Sequence, residues 1–342
     1  MAKHLAIDAM GGEGGAKLVV PAALQALHSS QDLTLTLVGD QQQIEPLLAS
    51  ASASHLCDRC RIEHTTEVIA DDDLPRNVLR SGKNSSIYRS VELVRRGEVD
   101  AMVSAGNTGA LLMIGRHLLK TIAGIQRPAI VATIPGTNRR TFLLDVGANP
   151  DVEAEHLFEF AVMGSVLAES LNGKAAKVGL LNIGSEDFKG TDEVRAAASL
   201  LESCSDLNYV GFIEANALFE GEADVVVCDG FVGNVTIKSS AGVASVLKKF
   251  LAEEMENSLI SRLSDRVSNS LFTRLADRIN PQRFNGASLL GLQGSIIKSH
   301  GNATQEGFYY AINQAVREAD QCVPQLIANK VAAIMSATES GR

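Results

Sequence analysis

Short apolar runs rich in leucine and β-branched residues recur along the chain, each closed by a glycine-containing turn and followed by a longer stretch of helical period. They occupy residues 5–8, 33–39, 100–104, 129–134, 142–145, 178–182, 208–212, 224–228 and 295–298. Amphipathic helical stretches between them include 85–96, 108–120, 151–172, 191–203 and 304–320. Strand followed by helix, repeated, predicts βα units around a parallel sheet, so the fold class is α/β. No low-complexity linker divides the chain, and residues 1–342 are expected to form a single α/β domain.

One stretch echoes another. V-D-A-M-V-S-A-G-N-T-G, ending at Gly109, matches A-D-V-V-V-C-D-G-F-V-G, ending at Gly233, in pattern. Gly106 falls on Gly230 and Gly109 on Gly233. Each copy reads as a buried strand, a small polar residue, and Gly-x-x-Gly opening a helix, an arrangement that presents free backbone N–H groups at a helix N-terminus. Similar strand-end turns lie at 8–15, 145–149 and 182–186. In a parallel sheet such turns share the carboxyl edge, where ligands of these folds bind. Two of them facing one crevice would suit a small dianion such as phosphate; plain turn geometry is the competing explanation.

Composition narrows the choice of ligand. The chain has 40 acidic and 31 basic residues, a formal charge of −9, so its long-range field repels nucleic acid. No apolar stretch reaches the roughly 18–20 residues of a membrane span and no signal-peptide core precedes Asp8, which points to a cytoplasmic protein. Five cysteines without an export signal read as reduced thiols. His55, Cys57, Cys60 and His64 are spaced like zinc ligands but match no standard site, and surface thiols beside a strand histidine account for them as well. No metal or cofactor is expected. P-loop, G-x-G-x-x-G, G-x-S-x-G and H-E-x-x-H motifs are all absent.

Polar residues near the turns are then the candidates for chemistry. Ser104, Gly106, Asn107, Thr108, Gly109, Asn182, Asp229, Gly230 and Gly233 are the candidate phosphate or substrate contacts, with Asn234 beside them. Lys189, in N-I-G-S-E-D-F-K-G, could neutralise a phosphate or serve as an ordinary loop lysine. His300 could move a proton near neutral pH or simply open a helix, and Cys228 reads more readily as a small buried hydrophobe than as an acyl-accepting thiol.

In order along the chain, A-I-D-A-M-G-G-E-G-G, R-S-G-K-N-S-S, V-S-A-G-N-T-G-A-L-L, L-L-D-V-G-A-N, G-L-L-N-I-G-S-E-D-F-K-G, V-V-V-C-D-G-F-V-G-N and I-K-S-H-G-N-A closely resemble the PlsX-type phosphate acyltransferases of bacterial phospholipid synthesis. The resemblance runs from about residue 4 to residue 320. It implies acyl transfer from acyl-[acyl carrier protein] to inorganic phosphate, without cofactor, and delivery of the acyl phosphate to a membrane glycerol-3-phosphate acyltransferase. It also implies a homodimer with a three-layer α/β/α sandwich, mostly parallel, like those of phosphate acetyltransferases and isopropylmalate dehydrogenases. Lys189, His300 and Asn234 are the expected catalytic residues: Lys189 for charge, His300 for protonating the departing thiolate. Arg76, Arg80, Lys83, Arg139 and Arg140 are candidates for docking an acidic carrier. Two rival functions stay open: an NAD-dependent hydroxy-acid dehydrogenase on a related sheet, and a nonenzymatic carrier-protein or membrane scaffold.

Residues 246–284 stand apart. Leu251, Met255, Leu259, Leu263, Val267, Leu271, Leu275 and Ile279 recur every fourth position among arginines. Between residues 257 and 283, five arginines against two aspartates leave a local charge of +3. The stripe fits a projecting helical hairpin packed on a partner subunit, or one laid on an anionic membrane surface. Leu259, Ile260, Leu263, Leu271 and Phe272 are the expected membrane or dimer contacts, and peripheral association with the inner face of the cell membrane is the implied location.

Overall fold

The strands are β1 (Lys3–Asp8), β2 (Leu33–Gly39), β3 (Cys60–His64), β4 (Ala101–Ser104), β5 (Ala129–Pro135), β6 (Arg140–Leu144), β7 (Lys177–Leu181), β8 (Asn208–Ile213), β9 (Val225–Val227), β10 (Ala287–Leu290) and β11 (Ser295–Lys298). All eleven join one sheet in the order β3-β2-β1-β4-β11-β10-β5-β6-β9-β7-β8. This is a computed structural model, and it describes residues 2–49, 54–70, 72–137, 139–257 and 280–340.

The helices are α1 (Gly15–Ser29), α2 (Gln41–Ala49), α3 (Ser54–Cys57), α4 (Pro75–Ser81), α5 (Ser86–Arg95), α6 (Thr108–Leu119), α7 (Ala154–Asn172), α8 (Asp192–Glu202), α9 (Gly230–Asn257), α10 (Gln305–Gln321) and α11 (Val323–Ser340). They cover both faces, as a largely parallel sheet requires. Over one face lie α4, α5, α6 and α9, through Val78, Ile87, Leu111, Ile114 and Ile237. On the other, α1, α2 and α10 cover one half and α7, α8 and α11 the second. The expected three-layer α/β/α sandwich is therefore the observed one. Leu111, Ile114 and Leu118 put a buried stripe on α6 at spacings of three and four. Helix α7 is buried almost all round and stops where Gly173 turns left-handed at φ 67°.

The sheet is mostly parallel, as expected, with seven parallel pairings against three antiparallel ones, but its parallel strands do not all run one way. β3, β2, β1, β4 and β11 run together. Three successive antiparallel pairings, β11 with β10, β10 with β5 and β5 with β6, then reverse the sense. β6, β9, β7 and β8 run together the other way. The chain thus carries two parallel half-sheets of opposite direction, joined by β10 and β5.

Across β10 lies a titratable group with no part in the turns. Glu318 is 2% exposed and accepts hydrogen bonds from the Ser288 hydroxyl and from Gln314 Nε2, the latter at 2.8 Å. Burial pushes its pKa from 4.5 up to about 7, against those two donors. The folded state therefore holds a proton that the unfolded chain releases, and this stability is complete below about pH 4.5 and lost as pH rises through about 7. The linkage amounts to about 3 kcal/mol. Glu318→Gln is expected to melt about 6 °C above the parent at pH 8 and to converge with it at pH 5. A difference in melting temperature that ignores pH would refute the linkage.

Candidate functional site

Where β1 ends, Asp8 is fully buried, and its Oδ1 accepts the N–H groups of Met10 and Gly11, both at 3.2 Å. Its other oxygen accepts the Ser104 hydroxyl at 2.6 Å, and Ser104 Oγ in turn accepts the Gly106 N–H at 3.0 Å. Burial raises the Asp8 pKa against these hydrogen bonds. Ser104 is thus spent on holding the turn and is a positioning residue. A Cβ on Gly11 would stand 2.7 Å from the Gly106 nitrogen, and one on Gly12, at φ +79°, 2.8 Å from Gly301 O. Only glycine lets these three turns pack so closely.

Two helix N-termini emerge here. α1 starts at Gly14 without a side-chain cap. α6 is capped by Asn107, whose Oδ1 accepts the Ala110 N–H at 2.9 Å while its amide reaches Ala70 O and Asp73 O. Thr108 and Gly109 keep N–H groups with no intrahelical acceptor, at the positive end of the helix. The third turn follows β11: Lys298 Nζ donates to Ala105 O at 3.2 Å and to Ser299 O, and Asn285 Oδ1 accepts the His300 N–H at 3.1 Å. Crowding by protein and then the Lys298 charge lower the His300 pKa, so its imidazole is neutral at pH 7. That is unfavourable for the expected proton donation.

The second half-sheet repeats the device. Asp145, ending the β6 segment as Asp8 ends β1, is fully buried and accepts N–H groups from Ile130, Gly147, Ala148 and Asn149 at 2.6–3.2 Å. Gly230 N–H donates to Asn149 O at 2.7 Å. Asp229, expected among the phosphate contacts, instead caps α9: its Oδ1 accepts the Val232 N–H at 2.8 Å, which leaves Phe231 N–H without an intrahelical acceptor. Asn182 is likewise structural. Its Nδ2 donates to Lys189 O at 3.1 Å and its Oδ1 accepts the Ile183 N–H at 2.9 Å, strapping the loop after β7.

Lys189 stands on that loop with Nζ 2.8 Å from Glu186 Oε2. Asn234 lies close by Gly147, where an added Cβ would be 2.7 Å from its Nδ2. Exposed Ile183, Phe188, Phe231 and Val235 put apolar surface around these polar groups. The sequence marks Ile183 and Phe188 as apolar residues inside an otherwise polar loop, whereas Phe231 and Val235, on α9, carry no such local signal. Cys228 is 4% exposed, its Sγ donates to Asp145 O at 3.6 Å, and burial raises its pKa far above the ordinary thiol value. A thiol so disposed is a poor nucleophile. Cys228→Ala is expected to keep phosphate-dependent turnover, and a trapped acyl-Cys228 would overturn that.

The two Gly-x-x-Gly turns do not share one carboxyl edge, because β4 and β9 belong to half-sheets of opposite direction. They share a face: α6 and α9 both pack on the same side of the sheet. Five strand spacings, about 24 Å, separate β4 from β9. A twist of roughly 20–25° per step turns them through about 100–125° in total, so their directions differ by only about 55–80°. Twist turns the two helix starts toward each other across β11, β10, β5 and β6 without shortening that separation.

Leu259, Ile260, Leu263, Leu271 and Phe272 lie outside the described residues. The described end of α9 exposes Val243, Val246, Leu247 and Phe250. No helix among the described residues is long and apolar enough to cross a membrane. His64 Nδ1 accepts the Gln41 N–H at 3.1 Å and Cys57 Sγ donates to Leu48 O at 3.7 Å.

This architecture is shared with solved phosphotransacetylases. The EutD phosphotransacetylase from Staphylococcus aureus superposes with a TM-score of 0.58 over 94% of each chain at 18% identity. A phosphotransacetylase from Streptococcus pyogenes gives 0.60 over 93% of this chain and 94% of its own, at 19% identity. 4-Hydroxythreonine-4-phosphate dehydrogenase from Klebsiella pneumoniae gives 0.55 at 14% identity, over 93% of this chain and 99% of its own. At such identities the likeness is one of fold. By sequence, residues 3–326 match the family model described as fatty acid synthesis protein, and the chain belongs to that family. A phosphate acyltransferase of Halorhodospira halophila is 47% identical over 98% of both chains, and one of Shewanella woodyi 45% identical over 97% of both.

Proposed function

We propose that this protein transfers a fatty acyl group from acyl-[acyl carrier protein] to inorganic phosphate, yielding an acyl phosphate for phospholipid synthesis. The observation that carries it is a pair of Gly-x-x-Gly helix starts on one face of the sheet, one beside the N-terminus of α1, which has no side-chain cap, the other on the strand next to the Lys189 loop. The name of its 44–47% identical relatives, phosphate acyltransferase, supports the same reaction.

Phosphate sits at the starts of α1 and α6, held by the N–H groups of Thr108 and Gly109, with Gly106 and Asn107 shaping the turn. The carrier docks over the apolar rim at Ile183, Phe188 and Phe231, beside Lys189, Asn234, Gly230 and Gly233, and its pantetheine arm carries the thioester across to the phosphate. A phosphate oxygen attacks the thioester carbonyl carbon, the C–S bond breaks, and the carrier leaves as thiolate. Phosphate is itself the nucleophile, so neither an acyl-enzyme nor a cofactor is needed. Orienting two substrates supplies up to roughly 7–11 kcal/mol, against about 0.3–1 kcal/mol for a single exposed helix end, so positioning dominates. Neutral His300 orients phosphate in this scheme.

The protein works as a homodimer in the cytoplasm, attached peripherally to an anionic membrane surface through residues 246–284, and hands acyl phosphate to a membrane glycerol-3-phosphate acyltransferase. The exposed apolar residues along the described end of α9 support that placement. Incubating acyl carrier with the protein, with and without orthophosphate, and trapping the product with hydroxylamine tests the reaction. Acyl hydroxamate that depends on phosphate is the expected result. Thioester that stays intact, or is lost equally without phosphate, would refute it.

A further inference from the structure

On the face opposite α6 and α9, a cavity of about 450 Å³ opens between β5, the β5–β6 connection, the 3-10 turn Pro281–Phe284 and α10. That volume falls in the range of small-molecule sites. Arg139, Arg140, Arg283 and Arg317 line it, and no acidic side chain does. Four guanidinium groups converging on one cavity run against the net charge of −9.

Their own neighbours do not neutralise them. Arg139 lies 4.0 Å from Asp224, a buried carboxylate that also takes the Lys177 N–H at 3.0 Å and Lys174 at 3.6 Å. Arg140, Arg283 and Arg317 form no ion pair among the described residues. Arg140 stacks 5.8 Å from the centre of the Phe284 ring. Burial, then the charges of Arg317 and Arg283, lower its pKa, the mark of like charges held together. The acids behind the wall are engaged: Glu306 accepts from Tyr310 and Glu318 from Gln314.

Guanidinium forks bind phosphate oxygens bidentately. A single phosphate group brings about 1.5–2 negative charges at pH 7, and two bring about 3–4, which matches three unpaired arginines plus a shared fourth. We propose that this cavity binds a diphosphate-class anion at a site distinct from the strand-end turns. The assignment stands whether or not the protein transfers acyl groups, since the four arginines take no part in the strand-end turns; the cavity meets those turns through Asn285, whose Oδ1 accepts the His300 N–H.

Calorimetric titration of the full chain with inorganic pyrophosphate tests it. One site per chain is expected, weakened at least about tenfold in Arg283→Gln and in Arg317→Gln, while hydroxamate formation without pyrophosphate stays within about twofold of the parent. Should a variant fail to fold, phenylglyoxal labelling of the unaltered protein replaces it: pyrophosphate is expected to shield Arg140, Arg283 and Arg317 and to leave Arg95 reactive. Unchanged affinity in both variants, absent shielding, or pyrophosphate inhibition that competes with orthophosphate and persists in the variants would overturn the proposal. So would a parent that ignores pyrophosphate while the variants show a raised KM for acyl carrier, which would assign these arginines to carrier docking.

Discussion

Replacing Gly233 with alanine is expected to lower stability by about 4 kcal/mol or more, the range reserved for severe steric conflict in a core. A methyl group there would fall inside the van der Waals shell of the Asp145 carbonyl oxygen and 3.0 Å from Cys228 Sγ. Neither neighbour can yield cheaply. The Asp145 side chain is tied to four backbone N–H groups, two of them at 2.6 and 2.9 Å, and Cys228 N–H donates back to Leu144 O. The melting temperature should fall by roughly 8 °C or more, with loss of turnover in whatever remains folded. Gly242, farther along α9, is the control. A methyl there meets nothing within 4 Å, so Gly242→Ala should raise stability by about 0.5–1 kcal/mol through helix propensity alone. Equal effects at the two positions would mean that the turn is not sterically fixed.

That contrast shows which part of the site the sequence made legible. The apolar runs and Gly-x-x-Gly starts were visible because burial and turn geometry leave local traces: period two, period 3.6, and glycine where a Cβ has no room. The match of residues 99–109 with 223–233 became two structural copies, each with a buried aspartate at the end of the neighbouring strand, Asp8 beside Ser104 and Asp145 beside Cys228. Direction was harder to read, since hydrophobicity reports burial and carries no sign for the chain. Connection length did carry it: too few residues separate β5 from β6, and β10 from β11, for a parallel crossover, which needs a dozen or more. The short strand β10 has a weak apolar run and was not foreseen. The arginine cavity was invisible for another reason. Its residues come from three segments, around 139–140, 283 and 317, that meet only once β5, β10 and α10 are assembled.

Of the polar residues singled out, Lys189 should matter most to chemistry. Lys189→Ala is expected to cut kcat/KM for acyl carrier by about a hundredfold to a thousandfold, with the fold intact. A unit charge about 4 Å from another at an effective dielectric of 20 is worth about 4 kcal/mol, and partial exposure of this side chain trims that figure. In the resting protein the ammonium is held by Glu186, 2.8 Å away, and that ion pair lowers the Glu186 pKa. Substrate must therefore draw Lys189 off an exposed carboxylate, a weak competitor in water. Two further variants follow from this exchange of partners. Lys189→Arg keeps the charge and should recover part of the loss, whereas Glu186→Gln frees the ammonium and should leave kcat/KM equal to the parent's or higher. If the lysine served only to pin the loop after β7, breaking the ion pair from either side would have the same consequence, and Glu186→Gln would be as damaged as Lys189→Ala. Undiminished phosphate-dependent hydroxamate formation by Lys189→Ala would take the lysine out of the reaction altogether and leave the reactants to backbone N–H groups, Asn234 and His300.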